Sequence, residues 1–289
     1  KLKGYSVRDS QVDYSSYVAG SLNGESHGFI EAPTGIGKTM GYLLPSAFFL
    51  EKNPTRKIVI ATATKNLQDQ VLNHDWPLLE ERFSSNRISI LKGKSNYLCP
   101  TALAKHFKEY FTDGNSEERS AWLFLTNFCY DTGGDLEKIP YHVKNSLPVL
   151  NDLIKDTNAH LHCVNSLCLP KNCIYGEHLG EARRSHMIIT NHHKLIQMDS
   201  EILDATHMIV VDEADRFADN TRNALRIEIN STEFKRLINR LIGSNRRRGY
   251  LQILLGTLDQ HSRNNDPDAL TAKVRRCIEI TEQIRLTMA

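Results

Sequence analysis

The eight residues Ala32-Pro33-Thr34-Gly35-Ile36-Gly37-Lys38-Thr39 constrain this chain more than any other stretch of it. Gly35 and Gly37 let the backbone curl so that successive N–H groups face one anion. The apolar-rich stretch at residues 40–50 predicts a helix whose positive N-terminus adds to that field. Lys38 supplies a charge for the β- and γ-phosphates of a nucleotide, and the Thr39 hydroxyl suits a Mg2+ ion. A short apolar strand at residues 28–30 is expected to lead into the loop. A glycine turn with an incidental lysine is the weaker reading once strand and helix flank it.

Such a loop needs a sheet, and the pattern predicts one. Ile58-Val59-Ile60 reads as a buried parallel strand, followed by a helical stretch to about residue 72. A strand follows at residues 88–91, then helix end and strand at residues 182–190, then the buried strand Met208-Ile209-Val210-Val211. This rhythm indicates βαβ units and a doubly wound sheet. Asp212-Glu213 stands at the carboxyl end of the last strand, where such sheets place ligands. One carboxylate there can hold Mg2+ through water, and its neighbour can orient or deprotonate an attacking water. Two acids after an apolar strand are common, and it is the glycine loop that gives the pair a chemical meaning.

At 289 residues the chain has length for roughly two ordinary domains. Its 40% hydrophobic and 24% charged residues describe a soluble globular protein. No run approaches the about 20 apolar residues of a membrane span, and a basic-plus-apolar leader is not expected. The first residue is Lys1, so a fragment is expected. A net charge of +2 names no partner. Residues 95–175 break the strand–helix rhythm and are too long for a plain loop, which predicts an inserted subdomain. They hold an aromatic cluster (Trp122, Phe124, Phe128, Tyr130) and every cysteine except Cys277. After Phe217 only helical spacing remains, at residues 231–242 and 271–287.

Cys163, Cys168 and Cys173 stand five residues apart, with Cys99 upstream. Four thiolates so spaced can hold an iron–sulfur cluster or Zn2+. Zinc sites more often pair cysteines two to four residues apart, which favours the cluster. Grouped cysteines of this kind point to a cytoplasmic protein rather than a disulfide scaffold. Cys129, among aromatics, and Cys277, beside Val274, read as core residues. Thr62, Thr64, Lys65 and Asn66 follow a strand end, and their hydroxyl, amide and ammonium groups suit phosphate contacts. Tyr97 can stack a base or pack on the insert. The run Arg246-Arg247-Arg248 reads first as a solvated helix end and second as a DNA contact. His192 and His193, read as strand neighbours, point to opposite faces and take structural roles near the nucleotide site.

Asp212-Glu213-Ala214-Asp215 resembles the DEAD/DEAH box of superfamily 2 helicases, in which an alanine commonly opens the P-loop, as Ala32 does here. Residues 60–70, Ile-Ala-Thr-Ala-Thr-Lys-Asn-Leu-Gln-Asp-Gln, and Ile189-Thr190-Asn191-His192-His193 are similar to motifs of the DinG branch of the XPD/DinG helicases. The resemblance runs from about Arg8 to Asp215. It implies a RecA-like P-loop NTPase fold, α/β with a parallel sheet flanked by helices, an inserted mostly helical iron–sulfur subdomain, and a C-terminal helical arch segment. The expected boundaries are 1–94 and 176–216 for the motor domain, 95–175 for the insert and 217–289 for the start of the arch.

The same resemblance implies an ATP-dependent DNA helicase, 5′-to-3′, with ATP and Mg2+ at the loop and a [4Fe–4S] cluster on Cys99, Cys163, Cys168 and Cys173. It assigns Arg8 and Gln11 to adenine and the loop of Thr64, Lys65 and Asn66 to single-stranded DNA, with Tyr97 beside Cys99 a further candidate for a base contact. The implied partners are single-stranded DNA and single-strand/duplex junctions, without a membrane, in a bacterial-type cytosol at the nucleoid. No second motor signature follows Asp215, so the chain by itself is expected to bind ATP–Mg2+ weakly, hydrolyse it poorly and unwind nothing. Two other readings stand beside this one: a non-catalytic nucleic-acid-binding module with a degenerate motor, and a P-loop NTPase with a structural zinc site.

Overall fold

The computed structural model describes residues 8–163, 173–226, 231–244, 247–261 and 268–287. They fall into two compact units, Lys1–Leu225 and Arg226–Ala289. The first unit holds one four-stranded parallel sheet: β1 (Ile58–Thr62), β2 (Ile88–Ile90), β3 (Met187–Asn191) and β4 (Met208–Val211), in the order β2-β3-β1-β4. Ile58 lies opposite both Met187 and Met208, so the carboxyl ends of β1, β3 and β4 form one level edge. The unit's main helices are α1 (Asp9–Gly24), α2 (Lys38–Lys52), α3 (Lys65–Gln70), α4 (Ser116–Thr132), α5 (Pro148–Thr157), α6 (Ile174–Arg184), α7 (His192–Ile196) and α8 (Phe217–Leu225).

Successive strand residues face opposite sides of a sheet, and here both sides are covered. Ile58, Ile60, Met187 and Ile189 enter one core with Val18 and Leu22 of α1 and Leu43 and Leu50 of α2. Val59, Ala61 and Ile188 enter a second core with Ala182 of α6 and Leu195 of α7. This double burial explains why β1 and β3 read as unbroken apolar runs; β4, expected as a buried strand, lies at the sheet edge and is only partly covered, with Ile209 43% exposed. A parallel sheet flanked by helices is the architecture of a RecA-like helicase domain.

The expected strand at residues 28–30 does not form. Residues 26–33 carry no regular structure, and Phe29 is 99% exposed while Ile30 packs on the first core. The run is short, Gly28 has no side chain to bury, and Pro33 offers no backbone donor to a ladder.

Between β2 and β3 the chain leaves the sheet, and residues 98–153 pack a third core that includes Leu98, Leu125, Phe128, Leu150 and Leu153. A reciprocal cap starts α4: Glu118 N donates to Asn115 Oδ1 and Asn115 N donates to Glu118 Oε2, each at 2.9 Å. The aromatic cluster is real but differently composed. Trp122 packs edge-on against Phe107 and donates Nε1–H to Leu103 O at 3.1 Å, whereas Tyr130 is exposed.

The second unit contains α9 (Ser231–Ile242), α10 (Tyr250–His261) and α11 (Asp268–Thr287). A two-residue hairpin, Gly243–Ser244 against Arg247–Arg248, departs from the all-helical expectation. Two arginines of the basic run thus sit on a strand, and Arg246 lies outside the described residues. Cys129 packs against the third core as expected. Cys277 does not: it is exposed, because the buried stripe of α11 is narrow and Val274 occupies it. Among the described residues, no helix is long and apolar enough to cross a membrane.

Candidate active site

The glycine loop is built as its composition demands. Gly35 and Gly37 sit at φ 81° and 87°, a region costly for any residue with a Cβ, and α2 begins at Lys38 immediately afterwards. A Cβ on Gly37 would also collide with Gln11 Nε2. Two side chains from the start of α1 close the loop: Arg8 Nη1 donates to Gly35 O at 2.7 Å and Gln11 Nε2 to Gly37 O at 3.0 Å. Lys38 Nζ donates across the loop to Ala32 O at 3.2 Å, and Pro33, Thr34 and Ile36 complete the turn. The Gly35 and Gly37 carbonyls are thus occupied by side chains from the start of α1.

Asp212-Glu213 is held with nothing left loose around Asp212. Its N–H donates to Ala61 O at 2.9 Å, continuing the β1–β4 ladder one residue past the strand. Tyr42 Oη donates to Asp212 Oδ2 at 3.2 Å, and Glu213 N donates to Asp212 Oδ1 at 3.0 Å. The chain then turns sharply: Glu213 adopts φ 52°, a left-handed conformation that costs a non-glycine residue about 1–3 kcal/mol. Glu213 Oε2 is buried without a hydrogen bond, and Arg216 Nη1 at 3.7 Å is an ion-pair neighbour too distant to supply one. The side chain as a whole is 32% exposed, so the carboxylate meets solvent through atoms other than Oε2 and can accept a proton or a hydrogen bond there.

Tyr42 joins the two halves. It lies one turn after Lys38 on α2, is 1% exposed, and donates to Asp212. Burial first, and the Asp212 charge second, push its phenol well above the usual tyrosine range, so it remains a donor. The sequence carried a signal for it, since residues four apart share a helix face. Thr39 and Asp212 offer the hard oxygen donors that Mg2+ prefers.

The expected DNA-contacting loop is an organised turn. Thr62 Oγ1 donates to Thr64 O at 2.9 Å, and the Thr64 hydroxyl accepts from Leu67 N at 3.4 Å as the N-cap of α3. Lys65 and Asn66 are the first residues of that helix. Tyr97 is a correction. Only 2% of it is exposed, its ring lies 4.7 Å from His178, and its hydroxyl accepts from Lys92 N, so no face is open to a base. The large ring is better used in closing the junction between sheet and insert.

Lys92, absent from the expected site, organises that junction. Its buried ammonium meets Glu137 at 2.7 Å, Asp135 at 2.9 Å and Asp69 of α3 at 3.6 Å. Burial alone would lower its pKa, but the Glu137 and Asp135 contacts outweigh that and raise it. Nothing local in the sequence links positions so far apart.

Cys99, Cys163 and Cys173 all pack, partly buried, against the second core, and Cys168 lies outside the described residues. Cys173 caps α6, its Sγ accepting Gly176 N–H at 3.3 Å. The donors are of the kind a soft metal or iron–sulfur group takes, yet among the described residues no three potential ligands converge.

His192 and His193 open α7 rather than extending β3. His192 is fully buried and its ring pKa is lowered, by burial first. His193 is exposed, so the two still part ways.

Comparison with known proteins agrees with this geometry. A family profile described as DEAD/DEAH box helicase matches residues 15–107. The chain is 30% identical over 226 residues to the 3'-5' exonuclease DinG of Bacillus subtilis, a match covering 75% of this chain and 23% of that protein. It is 28% identical over 233 residues to the ATP-dependent DNA helicase YoaA of Haemophilus influenzae, covering 75% and 34%. It is likewise 28% identical over 259 residues to the ATP-dependent DNA helicase DinG of Escherichia coli K12, covering 80% and 35%. The chain spans about a quarter to a third of the length of the curated relatives it matches.

Proposed function

The chain belongs to the DinG-like DEAD/DEAH-box helicases, and from that premise we propose that it forms the ATP-binding half of an ATP-dependent DNA helicase motor. The observation that carries this reading is the Tyr42 bridge, which brings the glycine loop and the acid pair to one edge of the sheet. In this reading residues 1–94 and 176–216 are the motor domain, 95–175 an iron–sulfur insert and 217–289 the start of a helical arch.

The loop N–H groups and Lys38 bind the triphosphate, and Arg8 and Gln11 border the adenine. Thr39 and Asp212 would hold Mg2+, which when bound neutralises phosphate charge. Glu213 orients the attacking water and accepts its proton. Hydrolysis is completed by charge stabilisation from a second motor domain of the intact protein, which works on DNA at single-strand/duplex junctions.

Thr64, Lys65 and Asn66 contact the phosphates of single-stranded DNA in this reading. Single-stranded DNA should therefore stimulate ATP hydrolysis by the intact protein, and Lys65→Ala should weaken DNA binding and flatten its salt dependence by about one phosphate's worth. An ATPase indifferent to DNA would leave a nucleotidase without a nucleic-acid role.

Cys99, Cys163, Cys168 and Cys173 would hold a [4Fe–4S] cluster, which when bound ties distant segments of the insert together. Anaerobically purified protein is expected to contain iron and acid-labile sulfide, and Cys173→Ser to lose both. Zinc without sulfide would identify a structural zinc site in its place.

A further inference from the structure

We propose that His192 and Asn220 form a latch that positions the acid pair for hydrolysis, by holding the Asp212 carbonyl where the chain turns into Glu213. The inference rests on the hydrolytic reading above and adds two positioning residues to it.

The hydrogen-bond chain has only one consistent set of donors. His192 Nε2 lies 2.9 Å from Asp212 O, and a carbonyl oxygen can only accept, so Nε2 carries the proton. A neutral ring then has Nδ1 as an acceptor, and the Asn220 amide nitrogen, 3.0 Å away, fills it. Both ring nitrogens are therefore occupied by the protein, and His192 cannot exchange protons with a substrate. Its contribution is the position of the carbonyl it holds.

That carbonyl is worth holding. Asp212 is the last residue tied to the ladder, through its N–H on Ala61 O, and the next residue is already left-handed at φ 52°. A non-glycine residue stays in that conformation only where its surroundings over-determine it. The Asp212–Glu213 peptide is clamped at its oxygen by His192 and at its nitrogen by the Asp212 carboxylate, so its plane is fixed from both ends. The plane of that peptide sets the direction in which the Glu213 side chain leaves the backbone.

The far anchor belongs to α8, the helix that follows the acid pair. Phe217 of α8 packs edge-on against the His192 ring at 5.1 Å, fixing the ring plane, while Asn220, one turn on, supplies the amide. Gln197 Nε2 donates to Ala224 O at 2.9 Å and holds the end of α8 independently. Loss of the Asn220 amide should thus free the ring without releasing the helix.

The test uses the intact protein with steady-state ATP hydrolysis on single-stranded DNA, equilibrium binding of a fluorescent ATP analogue with Mg2+, and imidazole 15N shifts. Asn220→Leu and His192→Leu are each expected to lower kcat about tenfold, the rate equivalent of one such hydrogen bond, with nucleotide affinity unchanged. His192→Gln, whose amide nitrogen can donate to the same carbonyl, should restore most of the rate. The wild-type His192 ring should show the Nε2–H tautomer, and Asn220→Leu should mix the two tautomers. An unchanged kcat in both leucine variants, an affinity that falls in step with kcat, or an Nδ1–H ring in the wild type would overturn the latch. Absence of ATPase from the wild type would instead defeat the hydrolytic reading, and the 15N measurement would still decide the hydrogen-bond chain.

Discussion

Lys38→Ala is expected to lower ATP hydrolysis by the intact protein at least ~10²-fold, and Glu213→Gln to do the same by a different route. Lys38 crosses the mouth of the glycine loop to Ala32 O at 3.2 Å, so its ammonium already sits where a triphosphate would meet the loop. Its removal takes away both ground-state and transition-state attraction, and nucleotide affinity should fall with the rate. The Glu213 carboxylate follows Asp212 at the strand end and is 32% exposed, and an amide there keeps the shape but loses the basicity. Affinity measured with a fluorescent ATP analogue should therefore survive Glu213→Gln while hydrolysis does not. Equal loss of affinity in the two variants would mean that Glu213 only braces the loop.

Lys92→Met should cost about 3–5 kcal/mol of stability, read as a drop in the midpoint of urea unfolding. The ammonium is 5% exposed and faces the Asp135 and Glu137 carboxylates, 11% and 21% exposed, so its loss strands buried negative charge. The double variant Lys92→Met/Asp135→Asn removes one of those charges and should recover part of the loss, since the penalty lies in the unpaired carboxylates rather than in the missing lysine. A cost below about 1 kcal/mol, the range of an exposed pair, would show that water reaches the network. The same junction carries Tyr97, whose hydroxyl takes the Lys92 N–H, so a loosened Lys92 should also disturb the packing between sheet and insert.

Much of this was legible in the chain's linear order. The glycine loop is legible because φ near 80° at Gly35 and Gly37 is a requirement that only glycine meets cheaply, so the residue type and the geometry are one statement. The strands are legible because a sheet buried on both faces needs unbroken apolar runs, and Ile58-Val59-Ile60 and Met187-Ile188-Ile189 have no polar interruption. The acid pair is legible because it ends such a run. The strand at residues 28–30 was misread for the complementary reason: three residues beginning with a glycine satisfy a local pattern, but a strand exists only if a neighbour pairs with it. Tyr97 was misread because an aromatic near a polar loop looks available for stacking until its neighbours are known.

The sequence by itself determined the chemistry that the chain can offer: a loop that curls around phosphate, a lysine and a hydroxyl behind it, two carboxylates at a strand end, and thiols in an insert. These follow from backbone conformation, side-chain type and hydrophobic period, which are local properties. The tertiary structure decided which groups meet. Tyr42 reaches Asp212 across 170 positions, Lys92 reaches Asp135 across 43, and Asn220 reaches His192 across 28. Such pairings depend on the order of strands in the sheet and on which helix covers which face. No window of neighbouring residues contains that information, because the free energy that selects it comes from packing the whole core.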